Sequence, residues 1–268
     1  MEELIPTPVQ SLIDAYLQAL EPLHAHFYGI YIYGSIALSG FDELESDIDI
    51  LALTHSDLAI SELAQLKAIH LHLLRAHKLG KRLEVLYIPF YNLGKSDREI
   101  VAYPTFQFGK FSPARYAELS NVTWWTVKNK GIRLLGPERS TLPFEVSWQD
   151  VLETMRDNLN DGFWATPTER PYLFLLDGWI VLTVASLCRM LTTIEEGEIV
   201  TYSVALKRWR DRLPTRWRPL IDEAWRIRSH LPIPSLYYSR VKRMREVLAF
   251  IEYVRERGGK VFQATAQR

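Results

Sequence analysis

The chain has 268 residues, 47% hydrophobic and 24% charged, enough apolar material for one large core or two small ones. Lysine plus arginine and aspartate plus glutamate both number 32, so no bulk positive charge argues for a nucleic-acid partner. One cysteine, Cys188, excludes an intrachain disulfide; it fits a reducing compartment and, in its apolar run, a buried inert thiol. The acidic opening Met1-Glu2-Glu3 is unlike a signal peptide, and Asp177 interrupts the apolar run 172–187, so no membrane span and a cytoplasmic location are expected.

In chain order, Pro6 and Pro8 precede an amphipathic helix whose apolar residues Val9, Leu12, Ile13, Tyr16, Leu17 and Leu20 recur at spacings of three and four. A strand over 28–33 and a second over 48–53 flank a polar turn. Ser56-Asp57 reads as the N-cap of a helix running to about His77, and Arg82 to Ile88 as the next strand, stopped by Pro89. The stretch 90–113, broken by Pro104, Gly109 and Pro113, is expected to be irregular. A helix to Lys130 and a short strand over 132–135 complete an α/β (α+β) plan with a small mixed sheet over residues 1–143. From 144 to 268 every long segment has helical period, namely 147–159, 171–192, 203–212, 217–229 and 239–256, which predicts an all-α second domain.

The turn between the first two strands carries the chemistry. It runs from Tyr33-Gly34-Ser35 to Ser46-Asp47-Ile48-Asp49. Residues two apart in a strand share a face, so Asp47 and Asp49 stand side by side while Ile48 and Ile50 point away. Paired hard oxygen ligands suit Mg²⁺, which takes one or two carboxylates plus substrate phosphates. Gly34 lets the backbone approach a phosphate, and Ser35 adds a hydroxyl and an N–H. Glu84, inside the apolar run Leu83-Glu84-Val85-Leu86, is either a solvent-facing residue of an edge strand or a general base facing the same cleft.

The Gly-Ser, spacer, Asp-x-Asp arrangement resembles the signature of the nucleotidyltransferase superfamily. With Leu83-Glu84-Val85, Tyr103-Pro104, Phe106-Gln107-Phe108-Gly109 and Gly131-Ile132-Arg133-Leu134-Leu135-Gly136-Pro137, the first half is similar to the aminoglycoside adenylyltransferases that modify streptomycin and spectinomycin. Leu187-Cys188-Arg189-Met190, Gly197-Glu198-Ile199 and Arg212-Leu213-Pro214 continue the likeness.

The resemblance implies transfer of AMP from MgATP to a drug hydroxyl, giving antibiotic resistance. Asp47 and Asp49 would hold Mg²⁺, two ions in this family, and Glu84 would be the base. Gly34, Ser35 and Ser46 would contact the triphosphate, and Arg189 would reach the phosphates from the helical domain. Two departures stand out. Where the family has a Trp packed on the drug, this chain has Phe111, and where the family presents a Lys after Gly197-Glu198-Ile199, this chain has Tyr202, with Lys207 or Arg208 as substitutes. Trp164 and Asp177 are the candidates for drug contact in the helical half. The same chemistry on another small hydroxyl compound, a protein or an RNA end, or a non-catalytic role, are the alternatives.

Other features are read as structural. His24/His26 and His70/His72 are expected at the surface, and no Cys or third His supports zinc. Trp124-Trp125 are expected in a core or at a domain interface. Lys207, Arg208, Arg210, Arg212, Arg216 and Arg218 are expected on solvated helix faces or in one phosphate-facing patch.

Overall fold

The computed structural model describes residues 5–96, 98–116, 119–160 and 168–266. The chain divides into two compact units, Met1–Ser147 and Trp148–Arg268.

In the first unit, six strands form one mixed sheet in the order β5-β4-β3-β2-β1-β6. They are β1 Phe27–Ile32, β2 Ile48–Thr54, β3 Leu83–Pro89, β4 Tyr103–Gln107, β5 Lys110–Arg115 and β6 Ile132–Leu135. Only β2 and β3 run parallel; the other described pairings are antiparallel. Parallel neighbours need a crossover, and helix α3 (Ile60–Ala76) supplies it. Helices α1 (Thr7–Leu20) and α3 cover one face, where Val9, Leu12, Ile13 and Leu66 pack on Ile48, Ile50, Leu83 and Val85. On the other face Trp124 and Val127 of helix α4 (Asn121–Lys130) pack on Leu51, Leu53, Leu86 and Ile88. Both central strands are therefore apolar on both faces, as a parallel pair buried between helices requires.

Three expectations for this unit are corrected. The stretch 90–113 is not irregular throughout, because β4 and most of β5 form a hairpin within and just beyond it. Proline is tolerated where a strand lacks a ladder donor; Pro113 lies on the edge strand, and Pro104 at the irregularity between Tyr103 and Thr105. Helix α3 starts at Ile60, with Glu62 accepting the Ala59 N–H at 2.6 Å, so Ser56-Asp57 is not its cap. His70 is fully buried rather than at the surface, stacked on Phe106 at 4.1 Å with its Nε2 2.7 Å from the Tyr87 hydroxyl.

The second unit is helical: α5 (Trp148–Asn160), α6 (Asp177–Glu196), α7 (Tyr202–Arg210), α8 (Arg218–Arg228) and α9 (Arg240–Ala266). The segment expected as one helix over 171–192 is a 3-10 turn, Pro171–Leu175, followed by α6. Asp177 therefore opens the helix rather than interrupting an apolar run. By length and composition α6 could cross a membrane, but 67% of its apolar window is buried within the fold, as suits a core helix. Cys188 is buried in it, and burial pushes its thiol far above the usual range.

On α9 the inward stripe is Arg243, Val247, Phe250, Ile251 and Val254, whereas Val241 is 47% exposed. Arg243 is 2% exposed and donates to Glu223 at 2.8 Å and to the Leu175 carbonyl at 3.2 Å; it also pairs with Asp177 at 2.7 Å. Fully buried Glu223 also accepts from Arg226, Ser235 and the Leu236 N–H. Burial alone would push its carboxyl up, but these hydrogen bonds outweigh burial and hold it at about 2. The network joins the 3-10 turn, α6, α8, the loop after α8, and α9.

Candidate active site

Strand alternation and register build the site. Asp49 pairs with Glu84 across the parallel β2–β3 ladder. Both stand on the face of Leu51, Leu53, Leu86 and Ile88, since their neighbours Ile48, Ile50, Leu83 and Val85 belong to the opposite core. Asp47 precedes β2 and is exposed, whereas Asp49 and Glu84 are half-buried. Burial pushes the Glu84 carboxyl up to about 7, and repulsion by Asp47 adds to it; donors from Gln107 and the Phe108 N–H, with Arg115, oppose the rise. The charge of Asp47 therefore reaches Glu84.

Gly34 follows β1 at φ +63°, and Tyr33 donates its N–H to the Asp49 carbonyl at 3.0 Å. A Cβ on Gly34 would lie 1.9 Å from Asp49 Oδ2. The turn is thus pressed against the carboxylate, and only glycine fits. Beside it, the buried Ser35 hydroxyl has no hydrogen-bond partner. Ser46 is 6% exposed and its hydroxyl accepts the Asp42 N–H at 2.9 Å; Arg82 holds the same turn through the Leu44 and Ser46 carbonyls. Ser46 therefore has a role in shaping the turn that leads into Asp47.

Among the described residues no three His, Cys, Asp or Glu side chains form a metal site alone. A carboxylate pair completed by substrate phosphates needs no third protein ligand, so the donor set fits Mg²⁺. An orphaned serine hydroxyl beside that pair is a donor of the kind a phosphate oxygen accepts from.

The structure corrects one candidate outright. Phe111 pairs with Phe106 on the α1/α3 face and packs against His70 at 6.0 Å between ring centroids, so it stands on the opposite face of the sheet from Glu84. The sequence reading also missed Gln107, which faces Glu84 and donates to Oε2 at 3.1 Å. The signal lay in the period of two: Gln107 alternates with Phe106, but the strand was not recognised between its prolines.

In the helical unit, the Arg189 guanidinium lies 4.7 Å from the Tyr202 ring, with that of Arg228 at 5.5 Å from the same ring. Tyr202 thus receives a hydrogen bond from Ser186 and packs against cations. Lys207 is exposed, its ammonium 4.7 Å from the Trp225 ring. Arg208 is engaged by Glu196 at 2.7 Å and Glu198 at 2.6 Å, so Lys207 is the freer cation of the pair. Asp177 is 52% exposed and paired with Arg243, and Trp164 lies outside the described residues.

The comparisons with known proteins reach both halves. Residues 168–257 match the family described as aminoglycoside adenylyltransferase, C-terminal domain. A spectinomycin 9-adenylyltransferase from Campylobacter jejuni is 24% identical over 247 residues, spanning 87% of this chain and 89% of the relative. The crystal structure of a spectinomycin adenyltransferase from Enterococcus faecialis, solved with ATP and spectinomycin, superposes with a TM-score of 0.66 at 20% identity, covering 93% of this chain and 99% of that one. Family match, relative and solved fold agree in what the chain is similar to: over residues 168–257 by family, and over most of its length by sequence and fold, it resembles aminoglycoside adenylyltransferases.

Proposed function

We propose that the protein is a nucleotidyltransferase that moves AMP from MgATP to a hydroxyl of an aminoglycoside-type antibiotic, with spectinomycin the first acceptor to test and streptomycin the second. The observation that carries this reading is the Asp49–Glu84 pair held in register, with Gly34 pressed on Asp49 and Asp47 beside them. The matches to spectinomycin adenylyltransferases support the acceptor class.

Bound Mg²⁺ neutralises charge on the phosphates and on the departing pyrophosphate. Asp47 and Asp49 hold it, and Gly34 with Ser35 receives the triphosphate. Glu84 accepts the proton of the drug hydroxyl as its oxygen bonds to the α-phosphorus; the bond from that phosphorus to the bridging oxygen breaks and pyrophosphate leaves. A carboxyl that titrates near neutrality is a better proton acceptor than an ordinary glutamate. Arg189 and Lys207 are our assignments for further cations on the nucleotide. Asp177 is kept as a drug contact, although its pairing with Arg243 leaves it less charge to offer a cationic drug. Catalysis on this plan is positioning and charge neutralisation.

The test is pyrophosphate release from MgATP with spectinomycin, streptomycin and a panel of other aminoglycosides added one at a time. Drug-dependent release that Glu84→Gln removes is the expected result. No release with any drug, from protein that binds MgATP, would refute the acceptor class.

A further inference from the structure

A general base works only if its carboxylate stays aimed at the proton it takes. On β3 alone Glu84 could swing about its side-chain torsions, and the β4–β5 hairpin prevents that. Val85 pairs with Phe106, so the next pair along the antiparallel ladder sets Glu84 opposite Gln107. Gln107 Nε2 donates to Glu84 Oε2 at 3.1 Å, and the Phe108 N–H donates to the same carboxylate.

Bringing that N–H to Glu84 takes an unusual turn. Phe108 and Gly109 both lie at positive φ, +53° and +71°, as a two-residue hairpin of the I′ type demands. Gly109 adopts this freely, but a bulky residue in the first position is an outlier that costs on the order of 1–2 kcal/mol. The Phe108 ring gains little burial in return, being 70% exposed with Arg115 5.6 Å from its centroid. Strain of this kind persists where the surroundings fix it, often at functional sites; here the Glu84 carboxylate fixes it, accepting from Gln107 and from the Phe108 N–H.

We propose that Gln107 is a positioning residue for the transfer reaction, acting through Glu84 by clamping its carboxylate together with the Phe108 N–H. The inference rests on Glu84 being the base. Gln107→Met keeps the volume and the β4 packing but removes the donor, and Gln107→Asn keeps an amide one methylene too short to reach. Each should lower kcat about 10- to 100-fold, the scale of a misplacement of about 1 Å. KM for MgATP should stay within about twofold, because the Gln107 amide donates to Glu84 and not to the residues assigned to the nucleotide.

The decisive measurement is a double-mutant cycle. In a Glu84→Gln background, Gln107→Met should cost nothing further in kcat. Equal losses from Gln107→Met with and without Glu84 would overturn the proposal, as would full activity of both Gln107 variants at unchanged Tm. A wild-type protein that releases no pyrophosphate would instead remove the functional reading, and this inference with it.

Discussion

Replacing Gly34 with alanine tests the geometry of the site at its tightest point. The added Cβ would sit 1.9 Å from Asp49 Oδ2 and 2.7 Å from its Cγ, so the carboxylate must retreat by about 1.5 Å to reach ordinary contact distance. Alanine at φ +63° costs a further ~1–2 kcal/mol of backbone strain. The stability effect is therefore modest, a fall in Tm of about 2–8 °C for a chain of this size. The effect on turnover is larger, because a displacement of about 1 Å in a reacting constellation costs on the order of 100-fold. Thermal melting monitored by circular dichroism, run beside the pyrophosphate assay, separates the two. Gly34→Ala protein that folds and turns over within about threefold of wild type would show that Asp49 does not need its present position, and would refute the site as drawn.

Three further outcomes are expected. Glu84→Gln should raise Tm of the metal-free protein at pH 8 but not at pH 4: the folded pKa of about 7 lies above the ordinary 4.5, so ionisation costs stability as pH rises through that window, by up to about 3 kcal/mol. For His70, burial lowers the folded pKa from 6.5 to about 3, so its neutral form stabilises the fold above pH 6.5 and that contribution drains away as pH falls. Between pH 7 and pH 4.5 it amounts to about 3 kcal/mol, and urea midpoints of His70→Phe should lack that component of the slope while falling by about 1–3 kcal/mol at pH 8 through loss of the Tyr87 partner. Glu223→Ala, which strands buried Arg243, should cost about 3–5 kcal/mol, and Glu223→Leu combined with Arg243→Met should recover most of it in denaturation experiments.

The legible parts of this chain were those governed by a regular period. Alternation put Asp49 on one face with its apolar neighbours on the other but left Glu84 two readings, and it is the β2–β3 register that sets Glu84 opposite Asp49. The helical half was likewise readable from its 3.6 spacing. What stayed hidden depended on partners distant in sequence. Arg243 occupies an inward position of α9 only because Glu223, Asp177 and the Leu175 carbonyl meet it there, and apolar spacing alone does not pick out an arginine. His70 is buried because Tyr87, seventeen residues on, offers its hydroxyl. The β4–β5 hairpin was masked by Pro104 and Pro113, whose tolerance depends on strand order, and strand order is not local information. Without that hairpin Gln107 could not be seen beside Glu84, nor Phe111 assigned to the opposite face.

The same two borders of the sheet have a bearing on colloidal behaviour. An open strand edge is a template on which another chain can add, the first step of fibrillar growth. At one border β5 carries Pro113, which offers no N–H, between Lys110 and Arg115; at the other, β6 is only four residues long and bears Arg133. Each border is closed to a foreign strand by the shortest means available, a missing donor on one side and a brief charged strand on the other. Replacing Pro113 with valine would supply the missing donor, and with it a longer uninterrupted edge for chains to stack upon.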